Sequence, residues 1–393
     1  MSDYDVSAAL DTDYYSLFSS LPSGDRAHWE RARSFVSEAL PQMNEYWDRA
    51  EYPLHLVKRM GEFNLLADGI NVPGLEPMSP LATGLVNMEV SRGDGSLGTV
   101  IAVQGGLALR SIAFYGSDEQ KKRWLGPLAR GEELGSFALT EPGHGSDSVS
   151  LETTARRDGD EWVLDGEKTW IGNGASGGVT VVWAREEDGN VRGFLVEQET
   201  SGYEGQVIEG KGSLRAIHQA SIRLKGARIP AENVLPGSRT FKDATRVLVA
   251  TRIGVAWSAL GHATAVFEAA LSYARQRVQF GKPLAKFQLV QDRLSQMLAE
   301  LTSMQLHCLH LARLDAEGRM RPTQASMAKY HNTRKARFIA SIARDLLGGN
   351  GILLENHVIR HMMDIESIHT YEGTESIQAL LIGRDVTGVS AFA

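Results

Sequence analysis

At Leu134 the hydrophobic period of this chain changes, and that change sets what it can fold into. Upstream, apolar residues recur at three- and four-residue spacing, as in Trp29, Ala32, Phe35, Val36, Ala39 and Leu40, the signature of one helix face. Downstream, to about Pro236, alternating and β-branched runs take over: Trp162-Val163-Leu164, Val179-Thr180-Val181-Val182-Trp183, Gly193-Phe194-Leu195-Val196 and Ala220-Ser221-Ile222-Arg223-Leu224. Asp158-Gly159, Asp165-Gly166 and Asp188-Gly189-Asn190 stand at hairpin positions among them. From Phe241 the helical period returns, over Val247 to Arg275, Leu284 to Glu317, Thr323 to Leu347 and again after Tyr371. The expected fold class is α+β: an N-terminal all-α domain over 1–133, a middle antiparallel β domain over 134–240 and a C-terminal helical bundle over 241–393.

Within the first lobe, Pro41 reads as interrupting the first helix, Tyr52 to Leu66 and Met78 to Val90 as further helices, and Asp68 to Pro80 as a loop. Ser117-Asp118-Glu119-Gln120 has the spacing of a capping box. Gly93 to Gly98 and Gly172 to Gly177 both fit G-x-G-x-x-G, but neither sits between a strand and a helix of a βαβ unit, so a Rossmann site is excluded. The first reads as a turn between helices. No HExxH or P-loop is present, and the GxSxG match at Gly174 to Gly178 lies inside the β lobe, not at a strand-to-helix elbow. With 48 acidic against 41 basic residues the net charge is -7, which offers no footprint for nucleic acid or an anionic membrane. No run is read as long enough to span a bilayer. Cys308, the single cysteine, excludes a disulfide framework and a cysteine-built metal site and packs as a small apolar residue. The scattered histidines, including His144, His369 and the His357/His361 pair, read as surface or core groups, so no metal is expected. Asp3, Asp5, Asp11 and Asp13 precede the first arginine, the reverse of a transit peptide, and a cytoplasmic protein is expected.

Three stretches carry chemistry. Thr370 to Gln378 places Glu372 between an aromatic ring and a Gly-Thr turn, although Thr374 as an ordinary N-cap would explain the segment by itself. Thr140-Glu141-Pro142-Gly143-His144-Gly145-Ser146-Asp147 follows the strand Phe137-Ala138-Leu139, and its small residues let backbone approach a flat ring or a pyrophosphate. Combined with Lys168-Thr169-Trp170-Ile171-Gly172-Asn173-Gly174 it suggests a slot with apolar walls and a polar rim, while a tryptophan in a β lobe is ordinarily core. Arg275 to Leu284 is a basic turn that either offsets a helix dipole or clamps phosphate through Arg277.

Together, Leu139 to Asp147, Lys168 to Ile171, Arg277-Val278-Gln279-Phe280-Gly281, Leu347-Gly348-Gly349-Asn350-Gly351 and Tyr371-Glu372-Gly373-Thr374 resemble the acyl-CoA dehydrogenase family, nearest its glutaryl-CoA dehydrogenase and short-chain acyl-CoA oxidase branch. The resemblance runs from about Leu21 to the end. It implies an FAD enzyme with a C-terminal four-helix bundle, assembled as a homotetramer, with the flavin between the β domain and the bundle. Leu139, Thr140, Trp170 and Ile171 would meet the isoalloxazine. Arg277, Phe280 and Gln288, with Gly349 of a neighbouring subunit, would hold the pyrophosphate and adenosine end, and Thr374 would reach the cofactor from the C-terminal side. Ser146 and Arg252 would lie along the CoA channel, with Tyr371 and Gly373 against the substrate. Glu372 matches the family's base, which takes the α-proton of an acyl-CoA while a β-hydride passes to the flavin. Its backbone N–H would polarise the thioester carbonyl. An alternative base position of the family is Thr251 here, which cannot serve.

Two positions depart from the branch. Gly98 stands where glutaryl enzymes carry the arginine for the distal carboxylate, and Ser91 where they carry a glutamate, so a glutaryl chain would lack its partner unless Arg92 or Arg110 supplied it. Gly172 replaces a threonine near flavin N5 and is expected to open space there, as in short-chain oxidases. The sequence therefore supports a short- or branched-chain dehydrogenase passing electrons to electron-transfer flavoprotein. An oxidase using dioxygen, a glutaryl-CoA dehydrogenase and a non-catalytic acyl-CoA-binding subunit are the alternatives.

Overall fold

The structure is a computed structural model, in which Asp5 and residues 7–392 are described; Asp3 lies outside the described residues. Helix α1 (Ser23–Arg49) buries Ala32, Phe35, Val36, Ala39, Met43 and Trp47 along one face and ends on Ala50 in the left-handed conformation. Pro41 does not break it. A proline forfeits one helical N–H, and here the packed face carries the helix through, which corrects the expected interruption. Helix α2 (Leu54–Glu62) is shorter than the Tyr52–Leu66 expectation. Helix α3 (Pro80–Gly93) starts on Ser79, whose side chain accepts from Ala82 N.

The next helix was not legible. Gly95–Ile101 (α4), a π-helical segment at Ala102–Leu109 and Arg110–Tyr115 (α5) run on as one rod. Over 21 residues it is long and apolar enough to cross a membrane by length and composition, which corrects the reading that no run is, and 67% of that stretch is buried inside the fold. Its glycines serve close approach rather than turning: a Cβ at Gly105 would lie 2.1 Å from Leu66 O, and one at Gly95 2.7 Å from the His262 ring. Helix α6 (Asp118–Ala129) opens with the expected capping box at Ser117 and Gln120.

The β lobe is one seven-stranded sheet of β1 (Gly135–Ala138), β2 (Thr154–Asp158), β3 (Glu161–Gly172), β4 (Val179–Arg185), β5 (Val191–Glu197), β6 (Tyr203–Val207) and β7 (Gln219–Pro230). The order is β1-β4-β2-β3-β7-β6, with β5 on β4. It is mixed rather than wholly antiparallel, since β1 pairs parallel to β4 and β2 touches β4 in parallel through Thr154 and Arg185. The long excursion between β1 and β4 gives the chain room for a parallel return. Asp158-Gly159 and Asp188-Gly189-Asn190 do turn hairpins. Asp165-Gly166 does not; it lies inside β3 at a register shift against β7, a bulge.

Helix α7 (Phe241–Gln276), 36 residues long, is the spine of the C-terminal lobe. It packs on α3 so closely that a Cβ at Gly84 would sit 2.2 Å from the Trp257 ring. Helices α8 (Gln288–Ala316) and α9 (Pro322–Leu346) match expectation within a few residues, whereas α10 (Val358–Thr370) was not anticipated. Helix α11 (Glu375–Thr387) follows Tyr371. Cys308 is buried, as expected, and accepts from Asn332 Nδ2 at 3.2 Å. Asp364 on α10 accepts from Trp47 Nε1 at 2.9 Å and from Leu214 N at 2.6 Å, so a single carboxylate joins α1, the β lobe and the C-terminal helices.

Candidate active site

Helix α10 stops at Thr370, and the chain turns through Tyr371, Glu372 and Gly373 before α11 begins. The turn is sharp because Glu372 (φ 54°) and Gly373 (φ 90°) both take the left-handed region, a conformation that costs a non-glycine residue about 1 kcal/mol or more. Thr374 caps α11 by accepting from Ile377 N at 3.4 Å, as the N-cap reading expects, and the Glu372 carboxylate is buried beside it.

Thr251 on α7 donates its hydroxyl to Glu372 Oε2 at 2.7 Å. Oε1 is buried and has no hydrogen-bond partner, an arrangement that leaves a carboxylate oxygen available to an incoming proton. Burial pushes the Glu372 carboxyl above its usual range. The Thr251 hydrogen bond and the fields of Lys329 and Arg252 pull it back, while Asp68 adds to the rise. Lys329, 1% exposed on α9, donates to the carbonyls of Tyr371 and Gly373, the two that flank Glu372. Gln378 Nε2 donates to the carbonyls of Glu372 and Gly373, each at 3.1 Å.

Beside this turn lies a small cavity, walled by Asp68, Asn87, Gly98, Ala102, Thr251, Gly254, Val255, Ser258 and Tyr371. No arginine lines it. Gly98 is packed against Ser91, whose Oγ would be 2.3 Å from an added Cβ and bonds Ser258 Oγ at 2.9 Å. Arg92 is turned away and engaged by Glu89 at 2.7 Å and Glu268 at 3.4 Å. Arg110 is held by Asp68 at 2.9 Å, and Asn87 Nδ2 donates to the other Asp68 oxygen at 2.9 Å. Neither arginine rescues a distal carboxylate.

Trp170 is 60% exposed, not core. The β3–β7 register shifts between Lys168 and Ile171, and Trp170 sits in that bulge with φ 62°, so its ring turns outward while Ile171 stays buried. Thr140 lies alongside, its carbonyl accepting from Thr169 N at 2.9 Å. The residues on either side of Thr140 are fixed by Lys168, whose ammonium donates to Leu139 O at 3.1 Å and Glu141 Oε1 at 2.9 Å. Burial alone would raise the Glu141 carboxyl. The Lys168 charge and the donors on Glu152 and Thr153 outweigh it and hold Glu141 at about 2, while burial, opposed by Glu141, brings Lys168 down to about 8. Both groups stay charged at neutral pH.

Gly172 opens no space. A Cβ there would meet Val103 Cγ2 at 2.6 Å, so the π-helical segment has filled the volume that the glycine frees. This corrects the expected opening near a flavin ring.

Arg277, Phe280, Gln288 and Gly349 gather elsewhere, at the far end of α7, and all four are exposed. Phe280 is 95% exposed with φ 53°, and Asn350 Nδ2 ties the Gly349 turn to Tyr273 OH at 2.9 Å. Among the described residues no hydrogen bond, ion pair or ring contact joins these four to Thr140, Trp170 or Thr374. The exposed Trp170 face, the pinned Thr140 and a guanidinium with no acidic partner suit a flat ring bearing a pyrophosphate. Ser146 is exposed in its loop. Arg252 is not on an open channel: it is 7% exposed, bonds Ser326 Oγ at 3.0 Å through one nitrogen, and leaves Nε without a partner. Sequence reasoning missed Lys329, Asp68 and Asn87. Only the unusual burial of their charge and polarity identifies them.

Comparison with known proteins agrees along the chain. Residues 24–132, 136–227 and 241–387 match, in turn, the N-terminal, middle and C-terminal domains of acyl-CoA dehydrogenase. Short-chain specific acyl-CoA dehydrogenase, mitochondrial, from Rattus norvegicus is 36% identical over 384 residues, covering 95% of this chain and 92% of that protein. A glutaryl-CoA dehydrogenase from Mycobacterium smegmatis in complex with FADH2 superposes with a TM-score of 0.95 at 37% identity, covering 98% of this chain and 100% of that one. Butyryl-CoA dehydrogenase from Megasphaera elsdenii superposes with a TM-score of 0.89 at 28% identity, covering 93% and 99%.

Proposed function

This chain belongs to the acyl-CoA dehydrogenase family, FAD-dependent oxidoreductases acting on CH–CH groups, and from that premise we propose that it oxidises short, uncharged acyl-CoA thioesters to trans-2-enoyl-CoA. The observation that carries the reading is Glu372, a carboxylate raised by burial and with one oxygen unbonded, whose neighbours Thr251 and Tyr371 line a small cavity. A carboxylate so placed is basic enough to take an α-proton near neutral pH. The Glu372 N–H would polarise the thioester carbonyl and so make that proton acidic. Bound FAD supplies the hydride acceptor; Trp170, Ile171 and Thr140 orient it, and the protein keeps water from the reacting carbons.

The substrate class follows from the cavity wall. A distal carboxylate would meet no cation there, because Arg92 and Arg110 are already paired and Gly98 has no room for a side chain. A buried, unpaired carboxylate is strongly disfavoured. Electrons would pass to electron-transfer flavoprotein. The oxidase alternative rested on an opening at Gly172, and Val103 occupies it. The outward-facing Arg277, Phe280, Gln288 and Gly349 support a homotetramer in which one subunit completes the flavin site of the next.

The test is anaerobic mixing of the flavin-loaded protein with butyryl-, isobutyryl-, octanoyl- and glutaryl-CoA. Bleaching of the flavin by the short uncharged thioesters, with glutaryl-CoA at least tenfold slower, is expected. No bleaching by any of them would sink the reading. Stoichiometric hydrogen peroxide at each turnover under air would replace the dehydrogenase by the oxidase.

A further inference from the structure

Lys329 is among the largest fully buried side chains of the protein, yet it makes no salt bridge. Its Nζ donates to Tyr371 O and Gly373 O, the two carbonyls on either side of the base. A trans peptide places its C=O and N–H on opposite edges. With the Tyr371 carbonyl drawn to α9, the N–H of the same peptide unit, which belongs to Glu372, is turned away from α9. That N–H makes no hydrogen bond within the described protein, so it is free to donate to a substrate. The left-handed Glu372 also needs surroundings that over-determine it, and the double contact from Lys329 supplies such a constraint alongside that of Gln378.

We propose that Lys329 is the positioning residue of this site, clamping the Tyr371–Glu372 and Gly373–Thr374 peptides so that the carboxylate faces the cavity and the Glu372 N–H faces the thioester carbonyl. This rests on the proposed dehydrogenation reading and adds to it the group that builds the oxyanion-binding donor. The other charged groups facing Glu372 are Arg252 from α7 and Asp68 from the loop after α2, with the Tyr371 hydroxyl nearby. Burial brings the Lys329 ammonium down to about 7, so its charge changes near neutral pH.

Lys329→Met removes the clamp and the charge; Lys329→Gln keeps a neutral donor, and serves if the Met variant does not fold. In Lys329→Met, hydrogen–deuterium exchange of the peptide spanning 371–374 should rise at least tenfold. The rate of flavin reduction by butyryl-CoA should fall about ten- to a hundredfold, in the range for losing one oxyanion donor, with KM changed less than threefold. The acid limb of kcat/KM should move to higher pH, because a cation that favours ionised Glu372 is gone. Lys329→Gln should restore protection of 371–374 without restoring the acid limb. Unchanged exchange at 371–374 in a folded, flavin-loaded Lys329→Met protein overturns the proposal, whatever the activity. Should wild type fail to bleach with every acyl-CoA, the dehydrogenase reading falls, while the exchange result still decides whether Lys329 holds the turn.

Discussion

Replacing Thr251 by valine tests the electrostatics of the base most directly. The two side chains are nearly the same size, so the change removes one hydroxyl: the donor 2.7 Å from Glu372 Oε2. Because Oε1 has no partner, the carboxylate is left without any side-chain hydrogen bond. A hydrogen bond to a charged group is worth about 1.5–3 kcal/mol, and at 1.36 kcal/mol per unit this raises the Glu372 pKa by roughly 1–2 units. The base works ionised, so the acid limb of kcat/KM moves to higher pH by that amount. One unit below the wild-type limb, the variant should be about ten- to a hundredfold slower; well above both limbs the two should agree within a few-fold. Stability carries the same signature. Glu372 is raised in the folded state, so the native protein binds the extra proton and loses stability as pH climbs from 4.5 to the folded pKa. In Thr251→Val that window extends further upward. Anaerobic stopped-flow bleaching of the flavin by butyryl-CoA across the pH range reads the limb, and Thr251→Ser should keep it in place. An acid limb that stays put in Thr251→Val, or moves to lower pH, would refute the reasoning.

Four further outcomes are expected. Glu372→Gln should cut flavin reduction by about 10²–10⁴, the usual contribution of a general base, while the protein retains its flavin by absorbance. Gly98→Arg should not create glutaryl-CoA activity, because the new Cβ collides with Ser91 Oγ; overpacking of this kind costs about 1–3 kcal/mol, visible in thermal melting and relieved by adding Ser91→Gly. Lys168→Met strands the Glu141 carboxylate and should destabilise the fold by about 3–5 kcal/mol, whereas joining it to Glu141→Gln should recover much of the loss in denaturant titrations. In wild type, the Glu141 contribution to stability should fade as pH drops from 4.5 toward about 2.

The sequence carried the three-lobe order and the turn that holds Glu372 because both are local signals. A change of hydrophobic period marks the β lobe, and Tyr371-Glu372-Gly373-Thr374 combines a helix stop, a turn and a cap in four residues. What it did not carry depends on segments that meet only in space. Gly93 to Gly98 does hold the turn between α3 and α4, but its glycines, and Gly105 beyond it, also make room for Val36, His262 and Leu66. Gly172 read as a vacancy because its neighbour Val103 belongs to a helix far upstream. Lys329 lies 42 residues before the carbonyl of Tyr371 it binds, on a helix where a lysine is unremarkable until its burial is known. Trp170 departs from the rule that a tryptophan in a β lobe is core, because a one-residue bulge turns its ring outward.

Asp364 sets how the lobes can be rearranged. Trp47 and Leu214 share one of its oxygens, and burial beside Asp94 pushes its carboxyl up to about 7. Detaching any one lobe would strand a buried acid in the others, so the three should melt in a single cooperative transition and none should be expressible as an independent module. Grafting a related β lobe into this chain would demand a backbone donor at the place of Leu214, which makes that loop, remote from the chemistry, the seam along which chimaeras of this protein succeed or fail.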